Sequence, residues 1–252
     1  MRPALVEATF VARLNRFLAL ALLDGQEVPV HVANSGRLSE LLVRGVSAFL
    51  TPAPDSGRKT DYHLTLVEMN RVLVCADARL PNAMLAEAIE QKRLPECRSY
   101  GLVRREVALH KRRIDLELSG EPGLCYIEAK SVTLVENDVG LFLDAPTVRV
   151  RKHLSTLELA VAAGHCASVA FAVQRPGADS FSVNEPADSE SSRALKRAVT
   201  NRGEIYAYTC RTAKSCMEIP TPSQSNCDAV TAIQDRLLDV YDRMLRHYCP
   251  QH

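Results

Sequence analysis

The sequence contains no tryptophan, and only 5% of its residues are aromatic. That leaves little material for stacking bases, the usual device of barrels that hold single strands. Phe17, Phe49 and Tyr62 are the candidates in the N-terminal region, and each would serve a core equally well. Neither charge sign dominates: 31 Lys and Arg stand against 30 Asp and Glu, for a net charge of +1. No whole-molecule field therefore points to nucleic acid or membrane, and any basic surface must be local. No run approaches the roughly 18 apolar residues of a membrane-spanning helix, so no membrane partner is expected. The apolar N-terminal stretch is interrupted by Arg13 and Arg16, and no small-residue cleavage site follows, so a secretory leader is not expected. The 8 cysteines include no CxxC pair and no Cys/His cluster at zinc spacing. They read as reduced thiols of a cytoplasmic protein, not as a disulfide framework or a zinc site.

The pattern along the chain divides it into three parts. Residues 1–80 read as all-β, with FLALALL and EVPVHVA flanking the turn signal Asp24-Gly25. SAFLTPA, YHLTLVEM and RVLVCAD follow, separated by Gly45, Pro54 and Asn70. About five short strands in this span suit a small OB-like β-barrel. From Pro81 the period changes, and PNAMLAEAIEQKRL reads as an amphipathic helix. Residues 81–211 then alternate strands and helices, which suggests a mixed sheet and an α/β (overall α+β) molecule. Residues 212–226 are polar and turn-rich and read as a linker. The final segment, residues 227–252, carries an amphipathic helix with Val230, Ile233, Leu237, Tyr241 and Leu245 on one stripe, suited to an oligomer contact.

The chemistry concentrates in RRIDLELSGEPGLCYIEAKSV, residues 112–132. Two apolar runs flank a polar turn, yet each carries charge where a buried strand would be apolar. Strand alternation places Glu128 and Lys130 on one face of YIEAK. In RIDLEL it places Asp115 and Glu117 together, with Ile114, Leu116 and Leu118 opposite. If the runs pair, Asp115 and Glu128 come within a few ångströms, and their mutual repulsion would raise one pKa. A divalent cation removes that penalty, and oxygen ligands favour Mg²⁺ or Mn²⁺. An acid, about a dozen residues and then Glu-x-Lys is the pattern of the PD-(D/E)xK nucleases. In it Asp115 and Glu128 hold the metal, the Ala129 carbonyl adds a ligand, and Lys130 assists the attacking water. The competing reading is a solvated hairpin face with cross-strand salt bridges.

The surrounding residues add a family resemblance. RRIDLEL, CYIEAKSVTL and FLDAPTVRVRKHLSTL resemble segments of the sugar fermentation stimulation protein (SfsA) family, as do HVANSGRL, GRKTDYHL and DARLPNAMLAEAI upstream. The resemblance implies an OB-like domain followed by a PD-(D/E)xK nuclease-like domain. It also implies DNA or RNA as partner. It carries Asp115, Glu128 and Lys130 over directly, and it matches Glu106 as a further metal ligand and His153 as a phosphate contact or proton shuttle. Leu143 and Val150 replace a proline and a glycine of the family pattern, and Val150 would obstruct a phosphate approaching the backbone.

Local charge supplies the remaining candidates for nucleic-acid contact. Arg58 and Lys59 sit in a loop of the first domain. Lys111, Arg112 and Arg113 precede the Asp115 strand, and Arg149, Arg151 and Lys152 open the helix carrying His153. Flanking a metal site, such cations would hold phosphates; otherwise they form ordinary solvated faces. Three functions follow: a metal-dependent nuclease, a non-catalytic DNA-binding regulator on a nuclease scaffold, and an assembly component joined through the C-terminal helix.

Overall fold

The computed structural model describes residues 4–53, 60–142, 148–201 and 203–221. The expected C-terminal helix and the Arg58-Lys59 loop lie outside these residues.

The first six strands are β1 (Val6–Asn15), β2 (Leu18–Leu23), β3 (Gln26–His31), β4 (Ser47–Pro52), β5 (Tyr62–Met69) and β6 (Val72–Cys75). Asp24 and Gly25 both adopt positive φ, 50° and 80°, which gives the tight β2–β3 turn its twist. The order is β3-β2-β1-β4-β5-β6, and a parallel contact between β3 and β5 closes the barrel. Its interior is small and aliphatic, built from residues such as Ala19, Val30, Leu50 and Leu64. The chain thus begins with the expected OB barrel. Strand β1 is an addition to the sequence reading, hidden by the charge of Arg13. That guanidinium donates to the carbonyls of Asn34, Gly36 and Arg37 at 2.8, 2.7 and 2.6 Å, pinning the loop after β3. Phe49 is core, at 1% exposure, whereas Phe17 is exposed and stacks on His31.

Helix α1 (Leu80–Glu90) opens on Pro81 and leads into β7 (Tyr100–Leu109), β8 (Arg112–Gly120) and β9 (Gly123–Val132). After β10 (Leu134–Glu136) and β11 (Val139–Phe142) come α2 (Val148–Ala162), β12 (Cys166–Val173), β13 (Ser180–Val183), α3 (Ser189–Thr200) and β14 (Glu204–Thr209). The main sheet runs β14-β12-β9-β8-β7. Its β14, β12 and β9 are parallel, and its β9, β8 and β7 are antiparallel. The uncharged β12 occupies an inner position, as a continuous apolar run does. A small sheet, β10-β11-β13, stands beside it. Helix α3 is N-capped by Asp188, whose side chain accepts from the Ser191 amide.

Two apolar layers line the main sheet. One contains Phe171, Leu154, Leu157 and Leu195, under α2 and α3. The other joins Leu85 and Ile89 of α1 and Leu116 of β8 to Phe49, Leu66 and Cys75 of the barrel. Barrel and sheet therefore share a core.

Two expectations are corrected. Residues 212–219 are not a linker: β15 (Arg211–Thr212) and β16 (Met217–Glu218) form a hairpin, and Met217 and Ile219 are buried in the shared core. Polar composition concealed this because only those two side chains turn inward. Nor are all the cysteines scattered. Cys125 and Cys166 face each other in register on β9 and β12, with Cα atoms 4.3 Å apart, within reach of a disulfide. Their 41-residue separation gave no spacing signal. Among the described residues no helix is long and apolar enough to cross a membrane.

Candidate metal centre

The site forms where β8 and β9 part. Their ladder runs from Gly120↔Gly123 to Leu116↔Ile127 and then stops. The next positions would be Asp115 and Glu128, so the two acids face one another across the opening. The Ala129 amide, instead of meeting a β8 carbonyl, donates to Asp115 Oδ2 at 2.8 Å. The alternation expected for β8 also breaks here. Ile114 packs in the layer under α2 and Leu116 in the layer under α1, although they are two residues apart.

A third acid completes the row. Arg105 pairs with Leu116 and Val107 with Ile114, which leaves Glu106 across from Asp115 on the other side. Glu106 has φ 55°, a left-handed conformation in mid-strand for a residue with a side chain. Its carboxylate is 3.0 Å from Asn82 Nδ2 and 3.6 Å from Arg113. Asn82, buried on α1, also donates to Asp115 Oδ1 at 3.1 Å and accepts from Arg105 Nε at 3.1 Å. One amide thus ties the two carboxylates together. The PNAML segment does not give Asn82 away, because nothing local marks a helix residue that reaches two strands.

Glu128 is 2% exposed and is held from two sides. Lys130 Nζ and His153 Nδ1 both contact its Oε1. Its Oε2 is buried and has no hydrogen-bond partner. Burial raises the Asp115 pKa from its ordinary value, and the Glu128 charge adds to this. For Glu128, burial acts in the same direction, but the His153 hydrogen bond and the Lys130 charge outweigh it and hold the carboxyl below its ordinary value.

The other candidates divide. Lys111, Arg112, Arg113, Arg149 and Lys152 are exposed, as phosphate contacts require. Arg151 is committed elsewhere, 2.9 Å from Glu190 and 3.8 Å from Asp188 at the start of α3. His153 is buried against Glu128, so it positions an acid and does not face a phosphate. Val150 is buried in the apolar layer under α2. Glu117, placed with Asp115 by alternation, is buried and paired with Arg104, whose Nε lies 2.8 Å away.

Among the described residues no three His, Cys, Asp or Glu side chains stand as a preformed metal group. The donors nevertheless fit a hard cation. Asp115 and Glu128 supply carboxylate oxygens across the end of the ladder, and Glu128 Oε2 is unsatisfied.

Comparison with known proteins agrees with this architecture. Residues 11–76 match the SfsA N-terminal OB domain, and residues 79–216 match the sugar fermentation stimulation protein RE domain. The sugar fermentation stimulation protein homolog of Desulforamulus reducens is 41% identical over 208 residues, 82% of this chain and 87% of the relative. That of Chloroflexus aggregans is 43% identical over 206 residues, 82% and 79% of the two chains. The structure of Pyrococcus furiosus SfsA in complex with Ca²⁺ aligns over 86% of this chain and 91% of its own, at 27% identity and a TM-score of 0.77. The barrel, the mixed sheet and these relatives together place the chain in the SfsA family.

Proposed function

We propose that the chain is a metal-dependent phosphodiesterase acting on DNA or RNA. The observation that carries this reading is the Asp115–Glu128 pair at the end of the β8–β9 ladder, with Lys130 beside it and Glu128 Oε2 buried and unsatisfied. A structural ion pair has no need of that empty oxygen; a cation ligand does. Asp115 and Glu128 would hold Mg²⁺ or Mn²⁺, with the Ala129 carbonyl and Glu106 as further ligands. The Ca²⁺ bound by the Pyrococcus furiosus relative, a hard cation of similar ligand preference, supports this assignment.

When bound, the metal supplies an activated water and neutralises charge on the scissile phosphate. The chain's own residues do the rest. Asn82 fixes the Asp115 and Glu106 carboxylates relative to each other. His153 holds Glu128 Oε1, which leaves Oε2 to serve the cation. Lys130 leaves Glu128 to orient the water and to offset charge in the transition state. Exposed Lys111, Arg112, Arg113, Arg149 and Lys152 hold flanking phosphates.

One observation favours a second reading. Lys130 and His153 already balance Glu128 without a cation, as a non-catalytic DNA-binding scaffold would require. Labelled single-stranded and duplex DNA and RNA, incubated with Mg²⁺ or EDTA, decide between the two. Metal-dependent cleavage that falls at least a hundredfold in Asp115→Ala and Lys130→Ala is the expected result. Binding without cleavage, equal in wild type and variants, would leave the scaffold reading.

A further inference from the structure

Among the described residues Phe17 is the one exposed phenylalanine or tyrosine, at 48% exposure. A lone apolar side chain at the surface is ordinary, and the other large ones, such as Leu14 and Leu159, are aliphatic. What sets Phe17 apart is how firmly it is held. Its amide donates to Asn15 Oδ1 at 2.9 Å, and its carbonyl accepts from the Val32 amide at 3.0 Å. The preceding carbonyl, of Arg16, accepts from the Arg13 guanidinium at 2.5 Å. The ring stacks on His31, with centroids 6.3 Å apart and planes 25° from parallel. His31 in turn makes a T-shaped contact with the buried His63, at 5.4 Å. An aromatic ring fixed in this way before a ligand arrives loses little freedom on binding.

The surroundings match the backbone of a nucleic-acid strand. Arg16 and Arg37 are exposed, and the Arg13 guanidinium holds the carbonyls of both. Two positive side chains therefore start beside the ring, as the phosphates of a strand require. The same place is joined to the metal centre. Leu18, next to Phe17, pairs with His31. Two residues beyond His31, the Ala33 carbonyl accepts from the Ala78 amide at 3.0 Å, and Asn34 Nδ2 donates to the Ala76 carbonyl at 3.1 Å. The segment so bonded runs into α1, whose Asn82 holds Asp115. Ring, loop and metal centre thus lie on one hydrogen-bonded path.

We infer that Phe17, backed by His31, is a base-stacking platform for single-stranded nucleic acid, with Arg16 and Arg37 against the strand's backbone. The inference rests on the nucleic-acid reading above and narrows it to a strand with open bases. Stacking on an aromatic ring uses the face of a base, which every base has and which a duplex keeps covered by its neighbours.

The test uses the full chain in EDTA, so that binding is read without cleavage. Labelled single-stranded and duplex DNA and RNA oligonucleotides are titrated at several salt concentrations with wild type, Phe17→Leu and Phe17→Trp, and the melting temperature and solution mass of each protein are measured. Leucine keeps an apolar contact with His31 but offers no flat ring. Phe17→Leu should therefore bind single strands roughly tenfold more weakly and duplex as wild type does. Its slope of log affinity against log salt should stay that of wild type, because no phosphate contact is lost. Phe17→Trp should bind at least as tightly as wild type. Its indole, alone in a chain with no native tryptophan, should lose fluorescence as single strands saturate the protein. Should Phe17→Leu melt lower than wild type, the Phe17→Trp fluorescence decides. Binding to duplex alone, an equal affinity of Phe17→Leu and wild type for single strands, an equal loss on single strands and duplex, or unquenched fluorescence at saturation would overturn the inference and leave the nucleic-acid reading intact. A wild-type dimer that Phe17→Leu dissolves would overturn it too, by making the ring a contact between copies of the chain. No binding by wild type would remove both.

Discussion

At the scale of single residues, the site is a balance of charges whose signs can be followed by pH. Glu128 has a folded pKa below its ordinary value of 4.5, so it contributes stability above that value and loses it as pH falls through the folded pKa. Asp115 does the reverse: its raised pKa opposes folding once pH is above its ordinary value, and acid relieves this. In urea denaturation from about pH 7 to pH 3, Glu128→Gln should be less stable than wild type at neutral pH, and the gap should close below 4.5. A constant gap would show that Glu128 does not titrate in the way its partners require. The Ala129 amide offers a second check, because it donates to Asp115 rather than to the ladder. Its NMR resonance should follow the titration of Asp115 and shift when Mg²⁺ is added. Asp115, Glu128 and Lys130 were legible in the sequence because charge in neighbouring apolar runs, the Glu-x-Lys spacing and the family resemblance all single them out. Asn82 was not, since its meaning depends on side chains that come from distant segments.

Among the elements, the main sheet is fixed by what packs on each face. Phe171 on β12 is fully buried between Phe142 of β11 and Phe181 of β13, with ring centroids 4.6 and 4.5 Å away. It therefore joins the small sheet to the large one. Phe171→Ala should cost roughly 3–5 kcal/mol in chemical denaturation. A loss under about 1 kcal/mol would mean that the small sheet is not anchored there. Hydrophobic period made most elements readable: α1, α2, α3 and the uncharged β12 all follow it. The exceptions have physical causes. Strand β1 carries Arg13 for the sake of carbonyls in a distant loop, and the β15–β16 hairpin buries only Met217 and Ile219 behind a polar surface. The break in alternation at Asp115 was also hidden, because a pattern of period two assumes that the ladder continues.

For the whole molecule, the shared core decides what can exist alone. Leu85 and Ile89 of α1 and Leu116 of β8 lie in the same apolar cluster as Phe49, Leu66 and Cys75 of the barrel. A chain of residues 79–221 would expose that surface, and it should aggregate or lack a near-ultraviolet circular dichroism spectrum. A monomeric, cooperatively melting fragment would show that the sheet can complete its core without the barrel. The domain pattern read from the sequence, strands first and then alternating elements, located the change of architecture near Pro81. It could not show that the cluster crosses that point, because apolar residues do not announce their partners. A consequence follows for inheritance. Chimeras of two relatives joined between β6 and α1 would respect every strand and helix, yet each would carry half of one core against half of another. Exchange of barrels within this lineage is therefore constrained less by the linker than by volumes matched across it, and Phe49 should change between relatives only in step with its neighbours on α1.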